Sequence, residues 1–130
     1  MRDVTNEQAA IRDRTRDFVR KEIAPFAAEW DRTGTVPLDT VRKAGALGLF
    51  GVGVPVEWGG SGADFVAYIL MTEELAYGDA GVCNMISATN AFGWKLRDHG
   101  TPQQFSDFVQ AETTKFAAII KQEGLQMDVN

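Results

Sequence analysis

Soft metal ligands are almost missing from this chain: it has one cysteine, Cys83, and one histidine, His99. Structural zinc sites want four such ligands, so no metal is expected to bind. One cysteine rules out an internal disulfide and fits a reducing compartment, so the expected location is the cytoplasm. The opening "MRDVTNEQAAIRDR" has no apolar core segment and does not read as a secretory signal. No uninterrupted apolar run approaches the roughly 20 residues of a membrane span, so no membrane partner is expected. An excess of basic residues is missing too: 13 Lys and Arg stand against 18 Asp and Glu, a net charge of −5. Nucleic-acid binders show a basic face, and that class of partner is excluded.

What remains is an ordinary globular composition, 45% hydrophobic and 24% charged, over a length that suits one core. Alternating charges such as "RDRTRDFVRKE" read as a solvated helix face with close ion pairs. Thr5 and Gln8 form a capping box, and Ile11, Phe18, Val19, Ile23, Phe26 and Trp30 then lie on one helical stripe. Pro25 is expected to kink or divide that helix after Ile23, because it has no amide proton and crowds the preceding turn. A shorter helix over Leu38–Leu47 follows, with Val41, Ala44 and Leu47 turned inward. Six glycines between Gly48 and Gly62 then break every helical period.

Helix is predicted again over Ala63–Tyr77, its buried face expected at Phe65, Tyr68, Ile69, Thr72, Leu75 and Ala76. Asp79 caps the next helix, which Gly100 ends. Thr101, Pro102 and Gln104 open a last one, carrying Phe105, Phe108, Phe116, Ile119 and Ile120. The fold class is therefore all-α, an antiparallel bundle of about five helices with one glycine-rich loop.

That loop, "GLFGVGVPVEWGGSG", invites a nucleotide reading, which fails twice. A dinucleotide fingerprint needs G-x-G-x-x-G, and after Gly51 and Gly53 the last position is Val56. A phosphate loop needs a lysine after its final glycine, and none follows here. Ser87 has no histidine within local reach, and Cys83 reads as a small buried apolar residue. Adjacent Glu73 and Glu74 point about 100° apart on a helix, the wrong geometry for sharing a proton. No catalytic residue can be assigned from the residues alone.

The order of segments is more informative. "TNEQAAIRDRTRDFVRKEIAPFAAEWDRTGTVP", then "VRKAGALGLFGVGVPVEWGGSGADFVAYILMTEELAYGDAGV", then "SATNAFG" and "HGTPQQ" resemble the N-terminal helical domain of the acyl-CoA dehydrogenase family over residues 1 to about 104. The resemblance implies an enzyme family that makes an α,β-double bond in acyl-CoA thioesters, with FAD taking the hydride and a carboxylate removing the α-proton. It also implies that most flavin contacts and the catalytic base lie in further domains without a counterpart here. FAD is thus implied by the family but not expected to bind this chain alone.

Asn84, Met85, Ala88 and Phe92 match family positions lining the acyl-chain pocket, although core packing is the plainer reading of them. Trp58, Gly59 and Gly60 match the family's aromatic-Gly-Gly turn and read as structural. Residues 105–130 depart from the family and form a helix of different origin packing on the same bundle. They resemble the C-terminal end of the substrate-binding proteins of tripartite tricarboxylate transport.

Three readings of function stay open. The chain is a family member reduced to its N-terminal domain and inactive alone, a non-catalytic helical or acyl-binding module, or a recombined product without evolved activity. Acyl-CoA is the small molecule implied. A homodimer through apolar helix faces is the expected partner, since a bare apolar patch favours association.

Overall fold

The computed structural model describes residues 3–108 and 110. Among these the chain is helical, with no strand. Helix α1 (Asn6–Phe18) starts at the predicted capping box: the Gln8 amide donates to Thr5 Oγ1 at 3.2 Å, and the Thr5 amide to Gln8 Oε1 at 3.0 Å. It runs into one π-helical turn (Val19–Ile23), closed by the Ala24 amide donating to the Val19 carbonyl at 2.8 Å. Pro25 has no amide to continue the ladder, so the helix ends there and α2 (Ala27–Thr33) starts afresh. The break explains why Phe26 departs from its predicted stripe. Ile11, Phe18, Val19, Ile23 and Trp30 are buried, but Phe26 is 48% exposed and stacks on Trp30 with ring centres 5.9 Å apart.

Helix α3 (Leu38–Ala46) buries Ala44, and Lys43 ties it to the π turn through Glu22 at 2.8 Å. The glycine-rich segment follows, holding one short 3-10 turn (Val56–Trp58). Helices α4 (Phe65–Gly78) and α5 (Ala80–His99) form an antiparallel pair joined through Asp79 alone, whose carboxylate accepts from the Val82 amide at 2.8 Å. Helix α1 packs along α4 in the same direction, since Gln8 bonds Asp64 near both starts and Arg16 bonds Glu74 further along. A sixth helix, α6, begins at residue 102 behind the predicted Thr101–Gln104 box and is described to 108. The predictions at Phe116, Ile119 and Ile120 lie outside the described residues.

The buried face of α4 differs from the expected one. Ala67, Met71 and Leu75 face the core, while Phe65 and Ile69 are 55% and 39% exposed and Ala76 also lies outside. Only Leu75 of the six predicted residues is fully buried; Tyr68 and Thr72 are half-buried. The segment "FVAYILM" is apolar on every side, so its periodicity does not fix which side turns inward. Burial of Val19 and Ile23 against α4 decides it.

Candidate functional site

The glycine-rich segment is held in place by one asparagine. Asn90, fully buried on α5, accepts from the Val52 amide at 2.9 Å. It donates to the Leu49 and Ile86 carbonyls at 2.7 and 2.9 Å. A buried amide with these three bonds is satisfied on both ends, and it fastens the loop to the helix like a ladder rung. Val52, between Leu49 and Val54, is thereby drawn into the core, and all three are buried. Gly53 lies against the Trp94 ring with no room for a Cβ. The Trp94 Nε1 is buried there without an acceptor among the described residues. Arg97 stacks on that ring, 4.2 Å from its centre, and donates to the Gly53 carbonyl at 3.5 Å; its hydrogen bond to Asp98 holds that carboxyl below the usual carboxylate range.

Several of the loop's amides are taken up within the loop itself. Those of Gly48, Gly51, Val54, Trp58, Gly59 and Gly60 donate at 2.9–3.3 Å to the carbonyls of Gly45, Gly48, Gly51, Pro55, Val56 and Pro55 in turn. Gly59 turns the corner at φ 88°, in the left-handed region that favours glycine, and Gly60 sits against the Val54 carbonyl where a Cβ would collide. Trp58 is half-buried and leans on Phe105 of α6, ring centres 5.3 Å apart. Phe92 of α5 meets Phe108 of α6 in the same way, at 4.3 Å. Between these two aromatic pairs and the glycine backbone lies a cavity of about 270 Å³, whose wall also includes Phe50, Thr89 and Gly45. Its lining has no charged side chain.

The four matched α5 residues do not converge. Asn84 and Ala88 are exposed, Met85 is half-buried against the core, and Phe92 alone reaches the cavity. Steps of four residues overshoot a 3.6-residue turn, so the Asn84–Ala88 stripe drifts round the helix until Phe92 faces α6. Core packing therefore does not describe Asn84, Ala88 or Phe92, the last 44% exposed. Cys83 is buried as expected, its thiol donating weakly to the Thr72 carbonyl at 3.6 Å. His99 is exposed in the last turn of α5. Among the described residues no three of His, Cys, Asp or Glu come together as a metal site, and no helix is long and apolar enough to cross a membrane.

Sequence reasoning did not single out Asn90 or Phe50. An asparagine inside a helix resembles any polar residue until the segment it holds is placed beside it. Spacing alone carries no sign of that.

Comparison with known proteins agrees with the segment order. Residues 5–115 match the family described as acyl-CoA dehydrogenase, N-terminal domain. A probable acyl-CoA dehydrogenase of Bacillus subtilis is 45% identical over 104 residues, 78% of this chain and 27% of that protein. A short-chain specific acyl-CoA dehydrogenase of Clostridium acetobutylicum is 37% identical over 105 residues, again 78% and 27% of the two chains. Among solved structures, butyryl-CoA dehydrogenase from Megasphaera elsdenii superposes with a TM-score of 0.76 at 32% identity, covering 83% of this chain and 29% of that one. The chain thus spans little more than a quarter of the length of these relatives.

Proposed function

The chain belongs to the acyl-CoA dehydrogenase family as its N-terminal helical domain, and from that premise we propose that it supplies one wall of a site for acyl-CoA thioester oxidation, and does not catalyse alone. The observation that carries this reading is the outer side of α4 and α5. Phe65, Val66 and Ile69 stand exposed on α4, and the short side chains of Asn84 and Ala88 stand exposed on α5. Small residues on one helix face leave room for an acyl chain to lie along it, and the apolar side chains exposed on α4 suit a hydrocarbon. Met85 backs that face from the core side.

FAD, the cofactor implied by the family, does not fit the residues described. A flavin pyrophosphate needs free amide donors or cations, but the amides of Gly48, Gly51, Val54, Trp58, Gly59 and Gly60 are engaged within the loop and no charged side chain lines its cavity. Flavin binding by this chain alone is therefore not proposed. The purified protein is expected to be colourless and to retain no flavin absorbance after mixing with FAD and desalting. A yellow protein holding FAD in stoichiometric amount would overturn this. Calorimetry with acyl-CoA of several chain lengths then tests the acyl face: weak, chain-length-dependent binding that falls with Ala88→Phe supports it. Absence of any binding leaves the domain as an interaction module. The setting we propose is the cytoplasm, which suits the free thiol of Cys83.

A further inference from the structure

We propose that the cavity between the glycine loop, α5 and α6 is a separate binding site for a small neutral aromatic group. It is distinct from the exposed Asn84 and Ala88 face: its α5 wall is Thr89, Phe92 and Gly93, and of the four residues matched to the family's acyl-chain pocket only Phe92 lines it.

Three observations select the ligand chemistry. Polar ligands find few free donors: the lining amides of Gly48, Gly51, Val54, Trp58, Gly59 and Gly60 already donate within the loop, and Thr89 Oγ1 donates to the Met85 carbonyl at 3.2 Å. Anions find no cation, since no lysine, arginine or histidine lines the space. Aromatic groups, by contrast, find five rings: Trp58 and Phe105 as one pair, Phe92 and Phe108 as another, and Phe50. Ring pairs already at 5.3 and 4.3 Å present edges and faces to a third ring in the offset arrangements that aromatic groups prefer. The space, about 270 Å³ and open to solvent beside Phe92 and Phe108, has room for a benzene-sized group, which fits in apolar cavities of ~150 Å³.

Gly45 offers a clean way to block the site. It lies on α3 at the cavity wall, and a Cβ there would make only an ordinary contact, 3.9 Å from Phe50 Cδ2. Gly45→Leu therefore fills space without backbone strain and replaces a helical glycine by a better helix former. The experiment is a titration of the isotope-labelled full chain with toluene, followed by amide chemical shifts, with inorganic phosphate as a parallel probe. Toluene should give saturable shifts at Gly51, Gly59, Gly60 and Phe92, lost in Gly45→Leu, whose circular dichroism and melting should match or exceed the parent. Phosphate should give none at the loop. Unsaturable toluene shifts, shifts centred on Phe65 and Ile69, saturation unchanged in Gly45→Leu, or loop amides that respond to phosphate would each overturn the proposal. The readout needs neither flavin nor acyl-CoA, so its failure is separable from failure of the acyl reading.

Discussion

Asn90 holds three backbone groups from two parts of the chain, the Val52 amide and the Leu49 and Ile86 carbonyls. Asn90→Ala would strand the loop groups in a buried place, and each stranded group carries a desolvation penalty. The expected loss is about 2–4 kcal/mol, read as a lower urea midpoint with an unchanged slope. Asn90→Leu should be no better, because restoring bulk does not restore the bonds. Asp64 gives a pH-dependent counterpart. The Ala67 amide, first, and the Gln8 side chain, second, hold its carboxyl below the usual carboxylate range. A depressed carboxylate stabilises the fold above its unfolded-state value and loses that contribution as pH falls through the folded one. Asp64→Asn keeps a capping side chain but removes the charge. It should melt below the parent at neutral pH, and the difference should close once acid protonates Asp64. A gap unchanged in acid would refute the assignment. Of these residues the Thr5–Gln8 box could be read from the sequence, being local. Asn90 and the Gln8–Asp64 bond join residues 38 and 56 positions apart, which spacing rules do not reach.

Among the elements, α4 separates what periodicity can settle from what it cannot. Its existence and length follow from the run "FVAYILMTEELAYG" and the Asp64 cap, but its inward face does not, because both faces are apolar. The two assignments predict opposite outcomes. Met71→Ala should cost about 2–5 kcal/mol, the cavity-forming value for a fully buried methionine. Ile69→Ala, at a 39% exposed position, should cost roughly 1 kcal/mol or less. Equilibrium unfolding of the two variants decides, and a larger loss at Ile69 would restore the face read from the sequence. Helix α5 is the opposite case: Asp79→Ala removes the bond to the Val82 amide and should cost about 1 kcal/mol, as cap losses do. The break at Pro25 was legible because proline acts through its own missing proton. The π turn before it was not, since it depends on how Val19 and Ile23 seat against α4.

At the scale of the molecule, the all-helical class was legible from caps and breakers. The parallel course of α1 and α4 was not, because it depends on the path of the glycine loop between them. The exposed row of Phe65, Val66 and Ile69 has a consequence for assembly, since contiguous apolar surface favours burial against another copy or another domain. We expect a two-fold dimer through this row, in competition with an acyl chain at the same face, seen as a concentration-dependent mass in light scattering and weakened by Phe65→Ser with Ile69→Ser. A constant monomer mass at high concentration would exclude it. The Asn90 clamp has a dynamic consequence as well. A stretch holding six glycines would ordinarily be a hinge, yet its Val52 amide is bonded to Asn90 in the middle of α5. The loop and that helix should therefore open as one cooperative unit. Hydrogen exchange at Val52 should be as slow as at Ile86, while amides near the start of α3 exchange freely. Glycine here gives the backbone its turns, and the Asn90 bonds are expected to hold Leu49–Val52 in place.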